Sequence, residues 1–563
     1  MKKLFLALFV WSLIWITNSY SQSSVYPKNI DWSKAGAVTD FPTPAEVNNV
    51  FNVSYPDSGF DQSNIQARID SAGLADGINV VQLRRGIYNL SRPLILEAGR
   101  HDNVYVKGAG PNHQMHSGPY TILKFNFSNP DDFKIPVYGG MNAAIALRGG
   151  GGTFLGTISE FDRSKNQIKI TGSSQKISTG DLLRIRSNRE GVSCKVHPCM
   201  GQINRVKTVV DISPLVLELE HNFSLTWEQQ QEYGGLNLNV HKIDALENIG
   251  ISSVGIETTG YKEQSFPEHF ACKDQPEAAN SPHAHHILAF RVYNALIDEV
   301  YSFRPIAHHI YMIESLNKTI SESFFDDAIY RHGCNGGHGY GVNLFRKNTL
   351  NLVENNVFRH LRRSLMFNRG AHKNVIGYNY SRELAAQTGS ENRGDLSSRN
   401  MSDSGNLAEG NVLDRIINDT YHEKKFTAYK NVYFRNYTHY NYLENEGGIE
   451  NYFIGNRGDF SGNHEPSSVE TDLHGFIGQE ALTHNDDPSE FETRLTLNES
   501  SLYYKTVPVF LSQLNEWNSN YTWPLIGPRL NRRTPFPVQR IPTWDRYCDA
   551  YDDYFDSEYH CSR

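Results

Sequence analysis

The sequence lacks an apolar run long enough to span a membrane, and its longest apolar stretch lies at the amino terminus. Residues 4–16 form that amino-terminal run, which is shorter than the roughly 20 residues that a transmembrane helix needs. Two lysines precede it, and the small residues Ser19 and Ser21 follow it, which is typical of a cleaved secretory signal peptide. We therefore expect residues 1–21 to be removed, leaving a secreted or periplasmic protein with no transmembrane anchor.

Runs of basic residues are also missing. The chain has 54 Lys and Arg residues against 62 Asp and Glu residues, a formal net charge of −8. Nucleic-acid-binding domains carry a basic patch or stripe, so we expect no nucleic-acid partner. Aromatic residues and histidine are plentiful instead, with 30 Tyr, 29 Phe and 22 His. Aromatic faces pack against sugar rings and imidazoles exchange protons near neutral pH, which favours a carbohydrate partner.

Cysteine is scarce, with six residues in 563, but the number is even and the predicted compartment is oxidising. The absence of a repeated Cys-x-x-Cys spacing argues against a zinc site. Free buried thiols are the alternative to disulfides. We predict disulfide-bonded cysteines, with two close pairs and one remaining pair, at Cys194 and Cys199, Cys548 and Cys561, and Cys272 and Cys334.

A short pattern repeats through the second half of the chain: an apolar pair, small or polar residues, an Asn, then an apolar or aromatic residue. The intervals between the Asn residues are 23, 32, 25 and 20, and β-branched and aromatic residues surround them without a helical period. Such intervals predict coils of short parallel strands. Asn tolerates the left-handed backbone of a tight corner, and its amide can bond neighbouring backbone, so we interpret the column as structural. Its members are Asn356, Asn379, Asn411, Asn436 and Asn456, with Glu299 and Ser323 at the equivalent earlier positions.

These features predict an all-β, single-stranded right-handed parallel β-helix with loop insertions. An amphipathic pattern over residues 64–72 predicts an amino-terminal helix that caps the open apolar end of the solenoid. We expect a monomer. The predicted regions after the signal peptide are a cap with the first coils (22–110), a β-rich insertion with further coils (111–249), regular coils that carry the Asn column and a groove (250–460), and an irregular tail (461–563).

Two stretches of the sequence resemble known β-helix proteins. Residues 31–96, with Gly-x-Tyr at 86–88, resemble the start of pectate-lyase-superfamily proteins. The motifs at 337–342, 352–356, 361–364 and 374–381 resemble a group of exported bacterial β-helix proteins associated with polysaccharide breakdown. That group would have a His where Arg363 stands. The wider superfamily includes uronate lyases, oligosaccharide dehydratases, glycoside hydrolases and epimerases, so the resemblance implies a carbohydrate-active protein without naming its reaction.

The Asn column also serves as a ruler for finding residues that share a face. Tyr340 and Arg363 each lie 16 residues before a column position, and His309 and His422 each lie 14 residues before one. Equal offsets stack on one face of a solenoid, about 4.8 Å apart, so these side chains are predicted to line one groove. The sequence places further candidates close to them, namely His308, Arg331, His332, His338 and Arg362.

A cluster of His, Tyr and Arg suits β-elimination from a uronic acid. Removal of the C5 proton needs a base, a partner for the neighbouring carboxylate, and an acid that protonates the departing O4. We expect the catalytic groups among Tyr340, His338, His309, His422 and His332. The expected substrate-binding groups are Arg363, Arg362, His308 and Arg331. A sugar on O4 would make the enzyme a lyase of an acidic polysaccharide, of which sulfated algal polymers are one example, and a free hydroxyl there would make it an oligosaccharide dehydratase.

Other interpretations stay open at this point. Glycoside hydrolysis needs two carboxyl groups, and Glu470 and Asp472 are the best pair for it. A glycan-binding β-helix without catalysis would show an exposed aromatic strip and no cluster of ionisable groups. Individual His, Tyr and Arg residues could be purely structural. No cofactor is expected, although the adjacent Asp326 and Asp327 could bind Ca²⁺.

Overall fold

The computed structural model describes residues 30–56, 61–110, 120–136, 140–172, 176–187, 201–222, 237–261, 283–330, 338–382, 395–399, 403–419, 430–445, 451–458, 476–477, 480–481, 500–512 and 523. Its helices are α1 (Gln62–Gly73) and α2 (Val509–Ser512), and a 3-10 turn spans Pro130–Phe133. Its strands, in chain order, are β1 (Asn49–Asn52), β2 (Asn79–Gln82), β3 (Gly86–Leu90), β4 (Leu94–Glu97), β5 (Val104–Lys107), β6 (Thr121–Asn126), β7 (Lys134–Ile135), β8 (Met141–Arg148), β9 (Gly152–Asp162), β10 (Gln167–Thr171), β11 (Leu182–Ser187), β12 (Gly201–Ile212), β13 (Leu215–Leu219), β14 (Leu238–Ile243), β15 (Leu246–Thr259), β16 (Ala284–Phe290), β17 (Val292–Phe303), β18 (His308–Ile313), β19 (Leu316–Ser321), β20 (Phe324–Asp326), β21 (Tyr340–Phe345), β22 (Leu352–Glu354), β23 (Val357–Arg359), β24 (Arg363–Asn368), β25 (Val375–Gly377), β26 (Tyr380–Arg382), β27 (Leu396–Arg399), β28 (Leu407–Glu409), β29 (Val412–Asp419), β30 (Val432–Phe434), β31 (Tyr437–Asn445), β32 (Tyr452–Ile454), β33 (Arg457–Gly458), β34 (Phe476–Ile477) and β35 (Glu480–Ala481).

Each coil contributes one strand to each of three parallel sheets, and the predicted right-handed parallel β-helix is confirmed. Sheet 1 stacks β4, β8, β16, β18, β21, β24 and β27, followed by the later parts of β29 and β31. Sheet 2 runs from β1, β2 and β5 through β19, β22, β25, β28, β30 and β32. Sheet 3 runs from β3 and β6 through β20, β23 and β26. Strands β15 and β17 turn the corner and belong to both sheet 2 and sheet 3.

The inside of the solenoid is a continuous apolar column. Alternate residues of each strand point inward, so a residue such as Val342 or Leu344 meets its equivalent from the next coil, Leu365 or Phe367. Helix α1 closes the amino-terminal end of this column, with Ile65, Ile69 and Ala72 buried against the first strands. An uncovered apolar end would be exposed to water, so the helix supplies the cap that a solenoid requires.

Two asparagine ladders hold the coils in register, and only one of them was predicted. Asn356, Asn379, Asn411, Asn436 and Asn456 form the predicted ladder, in which each backbone N–H and side-chain amide donates to the side-chain oxygen of the next coil. A second ladder lies five residues earlier in each coil, at the corner between sheets 1 and 2. It comprises Asn351, Asn374, Asn406, Asn431 and Asn451.

The structure corrects two details of the predicted ladder. The left-handed backbone belongs to the residue before each ladder Asn: Asn355, Tyr378, Gly410, Arg435 and Gly455 have φ of 52°, 54°, 65°, 51° and 61°. The Asn side chains serve as the bonding groups. At the earlier coil the ladder position is Val300, whose N–H donates to Ser323 Oγ, whereas Glu299 occupies the left-handed position with φ of 50°.

The β-rich insertion is a closed barrel of six antiparallel strands, in the order β10-β13-β12-β11-β14-β9. Its own core contains residues such as Ile168, Ile185 and Leu217. The barrel docks on the solenoid through the buried Glu314, which accepts hydrogen bonds from Arg184 Nη1 at 3.0 Å and Arg291 Nε at 2.9 Å. The pKa of Glu314 stays below its usual value although burial opposes this, because both guanidiniums favour the charged form.

Residues 500–512 lie against the outside of the solenoid. The carboxylate of Glu409 on β28 accepts hydrogen bonds from Ser501 Oγ and from the Leu502 backbone N–H. Further along, Trp523 Nε1 donates to the Tyr378 hydroxyl at 2.9 Å. None of the described helices is long and apolar enough to cross a membrane. The predicted signal peptide and all six cysteines lie outside the described residues, so the processing and disulfide predictions stay predictions.

Replacing Asn379 by Ala tests the ladder. The change removes the acceptor for two Asn356 donors and the donors to Val353 O and Asn411 Oδ1. A buried group left without its partner costs about 1–3 kcal/mol, so we expect the free energy of unfolding to fall by at least about 3 kcal/mol in urea titrations. Asn52→Ala, at an exposed strand end, is the matched control and should stay within about 0.5 kcal/mol of wild type. Equal losses in both variants would contradict a structural ladder.

Candidate functional site

The candidate site lies where each coil leaves sheet 3 and enters sheet 1. Four residues of consecutive coils form one column there, at or next to the first residue of β16, β18, β21 and β24: His285, His308, Tyr340 and Arg363. His308 pairs with Tyr340, and Tyr340 pairs with Arg363, in the parallel register. The rings of His285 and His308 stack at 4.8 Å between centroids, and those of His308 and Tyr340 stack at 4.7 Å. We call these four residues the site column.

The site column faces the outside of the solenoid. Each of its residues is followed by two that point inward, as Tyr340 is followed by Gly341 and Val342, because the regular alternation of the strand begins only after the corner. A Cβ built on Gly341 would lie 2.6 Å from the interior ring of Phe358, and its neighbour Val342 also belongs to the core. On the outer face, His285 and His308 contact the ring of Tyr311 at 4.7 and 5.0 Å. Tyr311 itself packs in an outer apolar cluster separate from the core.

Burial and like charge keep the imidazoles of the site column neutral. His308 and His285 are 3% and 1% exposed. The pKa of His308 is lowered well below its usual value by burial and by the surrounding imidazoles of His285, His338, His283 and His309. Burial and two neighbouring imidazoles lower the pKa of His285 in the same way. A neutral imidazole can accept a proton at neutral pH, so both rings are available as bases.

Two guanidiniums lie beside Tyr340 at the other end of the site column. The Arg363 Cζ is 5.9 Å and the Arg362 Cζ is 6.0 Å from the centre of the Tyr340 ring. Both arginines are buried, with 0% and 4% of their surfaces exposed. The column therefore passes from two neutral imidazoles, through a phenol, to fixed positive charge over four consecutive coils. A positive end of this kind can bind a carboxylate through a bidentate pair.

A second group of rings borders the site column. The His338 ring lies tilted by 56° against the His283 ring, with centroids 4.6 Å apart, and meets Tyr330 edge-on at 5.7 Å. Tyr330 and Tyr261 share a hydrogen bond of 2.7 Å between their hydroxyls. His283 is exposed, and His338 is 2% exposed. This group forms the solvent side of the site.

His309, expected in the groove, lies one residue past the site column and points inward. His309 Nε2 bonds the Asp327 carbonyl oxygen at 2.8 Å, so Nε2 is the donor and Nδ1 accepts from Ser302 Oγ at 2.7 Å. Ser302 Oγ in turn accepts from His286 Nδ1, and Thr258 Oγ1 donates to His286 Nε2. These hydrogen bonds all donate in a consistent direction, and the arrangement leaves the imidazoles of His286 and His309 neutral. The offset rule selected His309 because it treated offsets of 14 and 16 as one face, whereas the residue that pairs with Tyr340 is His308, 15 residues before Ser323.

On the coils around the site column, the described carboxylates already have hydrogen-bond or ion-pair partners. Asp395, which follows Ser364 in the inward column, is buried and bonds Ser381 Oγ at 2.9 Å inside the solenoid. Burial and the neighbouring Asp414 raise the pKa of Asp395 to about 7. Asp326 Oδ1 bonds His360, and Asp327 pairs with Arg304 at 3.2 Å. No group of three or more metal-ligating side chains occurs in the described parts of the chain, and the Asp326–Asp327 pair is bound to cationic or imidazole partners.

Several predicted residues cannot be placed, and several contributing residues were not predicted. Arg331, His332, His422, Glu470 and Asp472 lie outside the described residues. His285, His283 and Tyr311 were not among the predicted site residues. The sequence does contain a pattern that indicates His285: the His-His doublets at 285–286 and 308–309 are 23 residues apart, which is the length of one coil. In each doublet one ring faces outward and the other inward.

No protein-family model matches the sequence, and a comparison with curated proteins finds no match. Solved structures whose backbones are similar to this one include the tailspike protein gp49 from Pseudomonas phage LKA1. The TM-score is 0.47, and the identity is 11% over 71% of this chain and 57% of that chain. The gp54 tailspike of Acinetobacter baumannii bacteriophage AP22, solved in complex with a capsular saccharide, gives 0.43 and 11% over 71% and 56%. An exopolygalacturonase from Thermotoga maritima gives 0.39 and 11% over 75% and 83%. This chain spans a little over half the length of either tailspike. The reaction must therefore be inferred from this chain's own residues.

The inward His309 makes a prediction about acid stability. Burial lowers its folded-state pKa from 6.5 to about 3, so between these values the unfolded chain binds a proton that the folded chain does not. Its stabilising contribution is complete above pH 6.5 and falls by about 1.4 kcal/mol per pH unit below it. In urea titrations between pH 6 and pH 4, His309→Asn should lose stability less steeply than wild type by that slope. All other titrations are common to both proteins, and parallel pH profiles would contradict a neutral, buried His309.

Proposed function

We propose that this protein is a carbohydrate-active enzyme that acts on a uronate-containing polysaccharide or oligosaccharide by β-elimination between C4 and C5. The observation that carries the proposal is the site column, in which neutral imidazole, phenol and guanidinium follow one another on consecutive coils. Those are the three kinds of group that elimination needs. The predicted export of the chain would place it where such polymers occur.

The positive end of the site column orients the substrate in this proposal. Arg363, assisted by Arg362, binds the uronate carboxylate and so stabilises the negative charge that develops when C5 loses its proton. The carboxylate also brings a negative charge close to His308. An approaching anion raises the pKa of an imidazole, so the bound substrate converts a weak base into one that can hold the C5 proton.

The proton transfers balance within the site column. His308 takes the C5 proton, the C4–O4 bond breaks as the C4=C5 double bond forms, and the Tyr340 hydroxyl protonates the departing oxygen. The resulting imidazolium and tyrosinate belong to stacked rings 4.7 Å apart. Return of the proton from His308 to Tyr340 then restores both groups. The leaving group is a sugar in a lyase and water in a dehydratase.

The surroundings of His308 favour elimination over hydrolysis by a carboxylate pair. The groups that act on its pKa are all imidazoles. Hydrolysis needs two carboxyl groups on opposite sides of the scissile bond. Asp395 and Asp414, the carboxylates next along the coils, lie inside the solenoid and are 0% exposed.

A substrate screen tests the reaction class. The purified full chain is incubated with polygalacturonate, alginate, glycosaminoglycans and sulfated algal polysaccharides, and with oligosaccharides made from them. Elimination should produce the ultraviolet absorbance of a 4,5-unsaturated uronate. New reducing ends without that absorbance would replace elimination by hydrolysis, and binding without any product would indicate a glycan-binding protein. Loss of one water from an intact oligosaccharide, read by mass spectrometry, would identify a dehydratase.

Tyr340→Phe tests the proposed acid. The change keeps the ring stacked on His308 but removes the only proton that the side chain can donate, and general acid catalysis contributes about 10²–10⁴-fold. We expect kcat to fall by about that factor while KM and thermal unfolding stay near wild type. Tyr311→Phe, on the neighbouring outer column, is the matched control and should keep most of its activity. Unchanged turnover in Tyr340→Phe would remove Tyr340 from the mechanism.

A further inference from the structure

We propose that the barrel carries a second, non-catalytic binding site for an acidic polysaccharide, in which Phe154 packs on a sugar ring and Arg186 binds a carboxylate or sulfate of the same polymer. The site lies on the outer wall of the barrel, beside its junction with the solenoid. The inference rests on the proposed function only in its choice of an acidic polysaccharide, and it does not require elimination.

Three neighbouring strands of the barrel, β11, β14 and β9, build the wall of this site. Their register places six outward side chains in two rows of three. Residues between them, such as Leu183, Ile185 and Val240, point into the barrel core, which fixes the outward direction of the six. We call the six residues the barrel patch: Arg184, His241 and Phe154 form one row, and Arg186, Asn239 and Thr157 form the other.

The barrel patch begins where the seam between the barrel and the solenoid ends. At this seam, Leu182 and Ile243 are each 3% exposed and pack in one cluster with residues of the solenoid. Two residues further along β11, the Arg184 side chain is 12% exposed, and two residues beyond that, Arg186 is partly exposed. The exposed fraction of Phe154 is 50%. The wall therefore opens to solvent away from the seam, so that a polymer can reach it.

Two nitrogen atoms of the barrel patch are shielded from water without being paired. The His241 ring is 9% exposed, and its Nδ1 atom has no hydrogen-bond partner in the described part of the chain. The Nε atom of Arg186 is buried in the same way, again with no partner among the described residues. Buried polar atoms are nearly always hydrogen-bonded, and an oxygen of a bound carboxylate or sulfate can accept from each of these nitrogens.

Positive charge outweighs negative charge around the barrel patch. Burial lowers the pKa of His241 to about 4, assisted by the guanidiniums of Arg184, Arg186 and Arg291. Glu314 is the carboxylate that opposes this shift, and Arg184 and Arg291 already share it through hydrogen bonds. The guanidinium of Arg186 is therefore the charge that is left for an external anion. Arginine binds carboxylates and similar oxyanions through paired hydrogen bonds.

An aromatic face lies beside this charge. The centroids of the Phe154 and His241 rings are 5.3 Å apart, and the outer part of the Phe154 ring is open to solvent. An exposed aromatic face can pack on a sugar ring. Thr157 Oγ1 and Asn239 Oδ1, which lie 3.2 Å apart in the other row, supply a hydroxyl and an amide for sugar hydroxyls. A charged sugar uses both kinds of group, whereas a free inorganic anion has no use for the aromatic face.

Strand β18 connects the barrel patch to the site column. Its first residue, His308, belongs to the site column, and Glu314, which binds Arg184, directly follows its last residue. The strand has six residues and so spans about 20 Å. A polymer held at the barrel patch therefore stays close to the site column, which raises the effective concentration of its sugar units there.

The test measures binding instead of turnover. Wild type and the double variant Phe154→Ala with Arg186→Gln are run in native gels that contain polygalacturonate or alginate, which carry carboxylates, or carrageenan, which carries sulfates. We expect the Kd for at least one polymer, from migration at increasing polymer concentration, to rise about ten- to a hundredfold in the variant, as for loss of a charged hydrogen bond. The polymer affected shows which anion is bound. Wild type that no polymer retards, or a variant retarded as strongly as wild type, overturns the site.

Two further variants separate recognition from folding. Lys207→Gln with Ile212→Ala removes one positive charge and one exposed apolar side chain from another part of the barrel, where β12 pairs with β13, and should bind as wild type does. Phe154→Tyr with Arg186→Lys keeps a ring and a charge and should bind more tightly than the Ala and Gln double variant. Thermal unfolding reports whether each variant is folded. An equal loss of binding in all three variants would show that the barrel patch does not recognise the polymer.

Turnover of short substrates distinguishes failure of this site from failure of the proposed reaction. The Phe154→Ala, Arg186→Gln variant should cleave the shortest oligouronate substrate at the wild-type rate, and a lower rate would contradict a non-catalytic site. If no elimination product is found with any substrate but the variant loses retardation, the binding site stands without the reaction. Elimination by a protein whose polymer binding is the same with and without the two changes supports the reaction and overturns the site.

Discussion

Hydrogen bonds between asparagine side chains set the register of this solenoid, and the rest of the structure depends on that register. Each ladder Asn accepts from the coil before it and donates to the coil after it, as Asn379 does with Asn356 and Asn411. These buried amides have their partners inside the protein, so a slip of one coil past the next would leave several of them unsatisfied. The cost of such a slip keeps every strand at one height relative to its neighbours.

The fixed register gives the outer face its chemistry. His308, Tyr340 and Arg363 are far apart in the sequence and become neighbours because their strands pair at those residues. The corner between sheets 3 and 1 then separates two roles within one dipeptide. In the doublet His308-His309, the first ring stacks on Tyr340 outside, and the second joins Ser302 and the Asp327 carbonyl inside. The inner hydrogen bonds hold the corner from which the outer ring projects.

Burial acts on the two ends of sheet 1 in different ways. At the site column it keeps His285 and His308 uncharged, because a desolvated imidazole among other imidazoles is neutral, whereas the same column ends in the guanidinium of Arg363. At the opposite corner, Arg346 and Arg369 are held close together over Phe345. A guanidinium keeps its proton in such surroundings, since its pKa starts far above neutrality. The same face therefore presents groups that can exchange protons at one end, next to the Arg363 guanidinium, and a pair of guanidiniums at the other.

Much of the scaffold could be predicted from the sequence because its signals are local. A coil of about 20 to 30 residues repeats its Asn and its apolar pair whatever lies between them, so Asn356 to Asn456 identified the fold without a structure. The cap over residues 64–72 followed from its helical period, which the structure extends to Gln62–Gly73. The ladder at Asn351 also had a sequence signal, since it lies five residues before the first ladder in every coil, but that second period was not recognised.

Tertiary structure alone decided which residues meet and which way they face. Counting back from the ladder aligned Tyr340 with Arg363 correctly but selected His309, because offsets of 14 and 16 were grouped together and the residue in register, His308, has an offset of 15. A shift of one residue moves a side chain from the groove to the interior. The closure of the barrel, the capture of Glu314 by Arg184 and the pairing of Arg346 with Arg369 each join segments distant in the chain. The sequence by itself determined the repeating coil and the kinds of side chain it carries, while the packing of the coils determined which of them form a site.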